Sequence, residues 1–199
     1  MTEIQLYHKI NKIETQSLDL LLLYMELTEL AREIGFESFG ILRVETLTPL
    51  HEVRDMCAAG RCLLYGKRWS CPPACGSIEK CAQKISSYQS GLLVQTVGKL
   101  EDVFDAEGIH RTEIIHKHRF ETLARQVRFQ FPACLPLTAG GCMRCSVCTY
   151  PNKPCRFPQK MMSSLEAYGL LVSEVCEKNG IPYYYGEGNI AFTSCILIS

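Results

Sequence analysis

The sequence lacks net charge, because its 21 basic and 21 acidic residues balance. It also lacks a basic block or arm, so its charge pattern does not favour binding to nucleic acid. Long hydrophobic runs are missing as well: the longest, Leu20–Met25, lies between two acidic residues and is far too short to cross a bilayer. The polar start, Met1–Glu14, is unlike a signal peptide. We therefore expect a cytoplasmic protein that binds neither nucleic acid nor a membrane.

Several common catalytic motifs are also missing. The sequence contains no Gly-x-Gly-x-x-Gly loop, no Walker motif and no nucleophile elbow. These absences argue against the nucleotide-binding and hydrolase classes that such motifs mark. Tryptophan occurs once, at Trp69. The residue that is unusually abundant is cysteine, and any functional prediction has to start there.

Cysteine occurs twelve times. Thiols stay reduced in the cytoplasm, so metal binding explains this number better than a disulfide framework does. The first cysteine group comprises Cys57, Cys62, Cys71, Cys75 and Cys81, and the second comprises Cys142, Cys145, Cys148 and Cys155. The other three, Cys134, Cys176 and Cys195, have apolar neighbours in predicted helix or strand, and we expect them to be buried.

The second cysteine group has the spacing Cys142-x2-Cys145-x2-Cys148-x6-Cys155. Three thiolates at three-residue steps can reach three irons of a cubane from one short loop, and a fourth completes the ligand set. Gly140-Gly141 allows the tight turns that such a loop needs, and Arg156 offers a positive charge beside an anionic cluster. Four thiolates also suit tetrahedral zinc, but structural zinc usually pairs two Cys-x2-Cys knuckles across a longer spacer. The spacing therefore favours a [4Fe–4S] cluster over zinc.

The first cysteine group is less regular, with the spacing Cys57-x4-Cys62-x8-Cys71-x3-Cys75-x5-Cys81. A proline after a cysteine, as at Cys71, is common where a cluster ligand ends a loop. We predict Cys57, Cys62 and Cys71 as ligands. The fourth ligand is Cys75 or Cys81, and we favour Cys75. If neither serves, one iron of the cluster stays open to a substrate. Trp69, two residues before Cys71, either walls the cluster or packs in the core.

Hydrophobic periodicity predicts an α+β fold, with a small mixed sheet and flanking helices. The order helix, strand, cysteine loop, helix, strand occurs in both halves, residues 1–100 and 108–199. We therefore expect one metal-binding domain over residues 1–199 with a structural pseudo-repeat and a metal cluster in each cysteine loop. The alternative is that an α+β chain yields this order by chance.

The boundaries of these elements follow from periodicity, glycine and proline. The predicted helices are Asp19–Ile34, Ile78–Tyr88, Arg111–Phe129 and one that a Ser163-x-x-Glu166 capping box opens. The predicted strands are Phe39–Val44, Leu92–Val97, Cys134–Leu137 and Ala191–Ile198. The stretch Thr46–Lys80 is predicted to be a loop.

Three stretches carry a resemblance to a known family. They are Cys57-x4-Cys62-x2-Tyr65-Gly66 with Trp69-Ser70-Cys71-Pro72-Pro73, then Gly141-Cys142-x2-Cys145-x2-Cys148 with Pro154-Cys155-Arg156, and Ser163-Ser164-Leu165-Glu166-Ala167-Tyr168-Gly169. The chain thereby resembles a family of small, cysteine-rich prokaryotic proteins described only as predicted metal-binding proteins. The resemblance implies metal binding, with a context in the corrinoid and one-carbon metabolism of anaerobes, and names no reaction. The cysteine pattern of this family implies that Cys57, Cys62 and Cys71 are ligands. After the double proline, Pro72-Pro73, the pattern varies.

Three functions fit these patterns. The leading hypothesis is an electron-transfer or redox-accessory protein that carries two [4Fe–4S] clusters and serves a redox protein partner in anaerobic metabolism. The second is an enzyme that uses an open-iron cluster at the first cysteine group on a small molecule or on sulfur. The third is a zinc-binding structural scaffold.

Overall fold

A mixed sheet of five strands forms the centre of the computed structural model, which describes residues 21–199. The strands are β1 (Ser38–Arg43), β2 (Ser90–Lys99), β3 (Leu135–Thr138), β4 (Ser163–Ser164) and β5 (Asn189–Ile198). Their order in the sheet is β1-β2-β5-β3-β4. All neighbours pair antiparallel except β3 and β4, which are parallel. The predicted α+β fold with a small mixed sheet is confirmed.

Helices lie on both faces of this sheet. They are α1 over residues 21–34, α2 (His51–Met56), α3 (Ile78–Ile85), α4 (Ala106–Gln130) and α5 (Val172–Lys178). The predicted helix Asp19–Ile34 is observed from residue 21 onward, and its first two residues lie outside the described residues. Gly35, with a φ of +96°, ends α1, and its N–H donates to the carbonyl groups of Ala31 and Arg32. Every helix within residues 21–199 is too short or too polar to span a lipid bilayer.

Two hydrophobic layers cover the sheet, one on each face. Successive side chains of a strand point to opposite faces, so Leu93 of β2 belongs to one layer and Leu92 to the other. The first layer contains residues of α3 and α5, including Ile85 and Val175. The second layer contains residues of α1 and α4. Each fully buried leucine or isoleucine contributes roughly 1.5–3 kcal/mol relative to exposure, and these layers therefore hold the helices on the sheet.

The two halves of the chain occupy equivalent positions in the sheet. β1 pairs with β2 in the first half, β3 pairs with β5 in the second half, and the halves join through the long β2–β5 pair. The helix before each first strand, α1 or α4, packs on one face, and the helix before each second strand, α3 or α5, packs on the other. The strand pairing and the helix faces are thus similar in the two halves, and β4 is an additional strand of the second half. The pseudo-repeat of residues 1–100 and 108–199 stays a prediction.

The predicted loop Thr46–Lys80 contains α2, which the sequence did not reveal. The predicted helix Ile78–Tyr88 is observed as α3, with the predicted first residue and an earlier end at Ile85. α2 is a short helix with one buried side chain, Val53, and it continues into a turn over Cys57–Arg61. Gly60, with a φ of +80°, ends this turn. α3 begins at Ile78, where Ser77 caps it by accepting a hydrogen bond from the N–H of Lys80. The first cysteine group thus extends from the end of α2 into α3.

The capping box predicted at Ser163 is wrong. Ser163 and Ser164 form β4, and the Ser164 hydroxyl accepts a hydrogen bond from the N–H of Ala167 in a short 3₁₀ turn, Glu166–Tyr168. That turn ends at Gly169, whose φ is +78°, and the helix starts only at Val172. The break has a packing cause. Gly169 accepts a hydrogen bond from the N–H of Leu50, and a Cβ at Gly169 would lie 2.9 Å from the Leu50 carbonyl oxygen.

Candidate metal centre

The four cysteines of the second group line one cavity. The chain leaves β3 and turns at Gly140, whose φ of +66° directs it into the cysteine loop. The space enclosed between the side chains is about 20 Å³. The structure brings together all four residues that the sequence analysis selected: Cys142, Cys145, Cys148 and Cys155.

Three arginines line the same cavity: Arg68, Arg144 and Arg156. Each is held by a backbone carbonyl group. Arg68 Nη1 donates to the carbonyl oxygens of Cys142 (2.9 Å) and Cys145 (3.1 Å), and Arg156 Nη1 donates to that of Val147 (2.9 Å). Arg144 donates to the Lys160 carbonyl and pairs with Glu121 of α4. The guanidinium groups give the cavity a positive wall, which attracts anionic groups.

Backbone N–H groups add to this effect. The N–H of Phe157 donates to the Cys155 sulfur at 3.4 Å. Burial alone would raise the pKa of Cys148. Hydrogen bonds from the N–H groups of Tyr150 and Trp69, together with the charge of Arg68, outweigh burial and lower it. A lowered thiol pKa favours the thiolate, which is the form that binds metal.

Trp69 also lies at this second cavity, although it belongs to the first cysteine stretch in sequence. Its indole N–H donates to the Lys153 carbonyl oxygen at 3.1 Å, and its ring meets Tyr150 edge to face at 4.9 Å. The adjacent Ser70 hydroxyl accepts a hydrogen bond from the N–H of Cys142. Trp69 therefore forms a wall beside the second cysteine group. The prediction that Trp69 walls a cluster at the first cysteine group has no supporting contact among the described residues.

In the first cysteine group, Cys57, Cys62 and Cys71 lie within each other's electrostatic field. Burial raises the pKa of Cys57, and the charges of Cys62 and Glu166 raise it further. Burial also raises the pKa of Cys71; a hydrogen bond from Ser70 opposes this, and Cys62 reinforces it. Such a thiol group is costly to ionise on its own, and a bound cation would compensate for the negative charge. That Cys57, Cys62 and Cys71 are metal ligands stays a prediction.

Cys75 and Cys81 form a separate pair. Arg54 Nη2 lies 3.3 Å from the Cys75 sulfur and 3.2 Å from the Cys81 sulfur. A hydrogen bond between the two thiols raises the pKa of Cys75 and lowers that of Cys81. Cys81 is 2% exposed, and Cys75 is more accessible. Within residues 21–199, no three histidine, cysteine or acidic side chains converge on one position that could hold a single metal ion.

The sequence pattern does not reveal the arginines around the cysteines, apart from Arg156. Arg68 bonds to carbonyl groups 74 and 77 residues away, and Arg54 bonds to the Ala167 carbonyl 113 residues away. Contacts of this kind leave no local pattern in a sequence. Of the three cysteines set aside, Cys176 and Cys195 are buried as expected, and Cys134 is half-buried.

Comparison with known proteins gives one result. No curated protein and no solved structure shows significant similarity to the chain. The model of one protein family, described as "Predicted metal-binding protein (DUF2284)", matches residues 40–198. That range begins in β1 and ends at the last residue of β5, so it includes both cysteine groups and the sheet between them. The chain therefore belongs to the DUF2284 family of predicted metal-binding proteins.

Proposed function

We propose that this metal-binding protein carries two [4Fe–4S] clusters and transfers electrons, or supports a redox protein partner, in anaerobic metabolism. The observation that carries the proposal is the second cysteine cavity, which four thiols and three arginines line together. A cluster with four thiolate ligands is anionic, and nearby cations and N–H donors stabilise it and set its reduction potential.

The residues of the second site fit such a cluster. Cys142, Cys145, Cys148 and Cys155 would supply the thiolates. Arg68 and Arg156 supply positive charge, and Trp69 shields the site from water. When bound, the cluster provides reversible one-electron transfer. Because Val147 and Met143 beside it are exposed, an electron partner has direct access to the loop.

The first site has a smaller ligand set in this proposal. Cys57, Cys62 and Cys71 are its thiolates. The sequence analysis adds Cys75 as a fourth ligand, but the hydrogen bonds of Cys75 to Arg54 and Cys81 favour leaving it out. A cluster with three protein ligands keeps one iron free.

This free iron supports a second candidate function, an enzyme that binds a small molecule at the first cluster. The specific observation in its favour is again the Cys75–Cys81 pair, which removes both candidates for the fourth ligand. We expect cyanide to shift the electron paramagnetic resonance signal of the first cluster and to leave that of the second unchanged. A signal that cyanide does not shift at either cluster would contradict the open-iron function.

The experiment that tests the main proposal is metal and sulfide analysis of protein purified without oxygen. Two cubanes give about eight irons and eight sulfides per chain, with a brown colour and a reversible low-potential signal. About four irons would limit the proposal to one cluster. Zinc without sulfide would overturn it and leave the structural scaffold as the function.

Variants locate the iron. Cys148→Ser removes a ligand of the second cavity and is expected to lower iron and sulfide by about four each. Cys134→Ser is the matched control, because Cys134 is a half-buried cysteine outside both groups. Equal iron in the two variants would contradict the assignment of the second site.

A further inference from the structure

The pair Cys75 and Cys81 has an environment that differs from the rest of the first cysteine group. One guanidinium nitrogen, Arg54 Nη2, contacts both sulfurs, at 3.3 and 3.2 Å. Two sulfurs that share one donor are held side by side. The two sulfurs can therefore lie no farther apart than the sum of these two contact distances, and a disulfide would need them to approach to about 2.05 Å.

Arg54 is fixed in this position by the backbone. Its Nε and Nη2 donate to the Ala167 carbonyl oxygen at 2.9 and 2.6 Å, and its Nη1 donates to the Gly76 carbonyl oxygen at 2.6 Å. Arg54 lies on α2, Gly76 precedes α3, and Ala167 belongs to the 3₁₀ turn. Three segments thus hold a cation that is directed at two sulfurs, and a guanidinium group stays charged at every physiological pH.

The two thiols differ in accessibility. Cys75 is half-buried and its thiol lies 3.5 Å from the Ala167 carbonyl oxygen, whereas Cys81 is 2% exposed. An accessible outer sulfur next to a buried inner sulfur is the arrangement that thiol–disulfide exchange requires. The outer sulfur reacts with the external disulfide, and the inner sulfur then resolves the mixed disulfide.

We propose that Cys75 and Cys81 are a redox-active dithiol, held by Arg54, that exchanges two electrons with a low-molecular-weight disulfide and does not ligate the first cluster. The accessible Cys75 sulfur attacks one sulfur of the external disulfide as its proton passes to the neighbouring Cys81 thiolate, and the external S–S bond breaks and releases one thiolate. Cys81 next gives up that proton to solvent. The Cys81 thiolate then attacks the Cys75 sulfur and releases the second. The protein loses two electrons and two protons, and the external disulfide becomes two thiols.

Arg54 stabilises the reduced pair in this scheme, because a guanidinium group attracts a thiolate and gains nothing from a disulfide. Its removal should make the pair easier to oxidise. A hydrogen bond to a charged group contributes enough to change an equilibrium roughly tenfold. We therefore expect Arg54→Gln to form the Cys75–Cys81 disulfide in a more reducing mixture of external thiol and disulfide than the unchanged protein does. The difference in the external ratio should be about tenfold.

The test uses the full chain, purified without oxygen and equilibrated with mixtures of reduced and oxidised glutathione. Acid quenching, alkylation and peptide mapping identify the linkage, and iron and sulfide are measured in the same samples. We expect a Cys75–Cys81 disulfide that forms reversibly, and unchanged iron and sulfide in Cys81→Ser and Cys75→Ser. Arg54→Lys keeps the charge and loses the fork, so it should shift the equilibrium less than Arg54→Gln does.

Several results would overturn the proposal. They are the lack of a Cys75–Cys81 linkage at every glutathione ratio, a linkage of either residue to another cysteine, and the loss of iron in either serine variant. Failure of the cluster proposal is separate, because it shows as missing iron and sulfide in the unchanged protein. The disulfide mapping does not depend on that result.

Discussion

Arg156 is a single residue whose effect on the second site can be measured directly. Its guanidinium group lines the cavity of the second cysteine group and donates to the Val147 carbonyl. Reduction adds an electron to the cluster, and a nearby cation stabilises the added charge. If the second site holds the proposed cluster, Arg156→Gln should therefore lower its reduction potential by on the order of tens of millivolts, as measured by redox titration.

The control for this variant is Arg125→Gln. Arg125 is exposed on α4 and does not line the cavity, so its removal changes the net charge of the molecule equally. An equal shift in both variants would mean that Arg156 acts through overall charge and not through its position beside the cluster.

His116 is the residue that should make stability depend on pH. It is fully buried between Thr96 and Ser194, with Nδ1–Oγ1 and Nε2–Oγ distances of 3.0 and 2.7 Å. Burial lowers its pKa to about 3, and Arg119 and Lys117 add to the shift. Between pH 3 and the unfolded value of about 6.5, only the unfolded state takes up this proton, so stability falls as the pH falls through this window. The full effect is roughly 5 kcal/mol.

Urea unfolding of the metal-free, reduced protein checks this expectation. His116→Gln should flatten the loss of stability between pH 7 and pH 4.5, whereas His118→Gln should retain it, because His118 is exposed on the same helix. If the two variants lost stability equally on acidification, other titrating groups would account for the pH dependence.

At the scale of the element, Gly169 determines where the late helix begins. A Cβ at this position would lie 2.5 Å from Ile78 Cδ1 and 2.9 Å from the Leu50 carbonyl oxygen, and φ is +78°. Gly169→Ala is expected to reduce the free energy of unfolding by about 2–4 kcal/mol, through the conformational cost and the clash. Gly180→Ala, at φ +70° with open space around it, should cost only about 1 kcal/mol. Urea unfolding measures the loss of stability in both variants. Equal losses would mean that the clash at Gly169 adds nothing to the conformational cost.

The sequence predicted those elements whose own side chains determine them. α4, β2 and β5 have long apolar patterns, and each was predicted, although the observed bounds extend beyond the predicted ones. α2 has one buried side chain in six residues, so periodicity could not reveal it. The capping box at Ser163 had the correct residue types, but the contact of Gly169 with Leu50 breaks the helix, and that contact is not local in sequence.

The same limit applies to the site. Cysteine spacing was sufficient to select the four residues that line the second cavity. Of the positive wall, the sequence pattern indicated only Arg156. Arg68 could not be predicted, because it reaches that cavity from the other half of the chain. The separation of Cys75 and Cys81 as a pair was missed because Arg54, which holds both, lies more than 20 residues before them.

At the scale of the whole molecule, the two cysteine loops lie against each other. Ser70 accepts a hydrogen bond from the N–H of Cys142, and Arg68 bonds to two carbonyl groups of the second loop. Gly141 lies directly against the first loop: a Cβ there would be 3.2 Å from the Cys71 sulfur. Clusters held by the two groups would therefore be neighbours, with Cys71 and Cys142 between them.

Neighbouring clusters should interact magnetically. If both sites hold the proposed clusters, each would be paramagnetic when reduced, and we expect a broadened or split electron paramagnetic resonance signal that is not the sum of two independent ones. Cys148→Ser should leave one narrow signal from the first cluster, because the second loses a ligand, whereas Cys134→Ser should keep the broadened form. Two additive signals in the unchanged protein would contradict the proximity of the clusters. Electrons would then have to enter and leave each cluster separately, instead of passing between the two halves of the molecule where Cys71 meets Gly141.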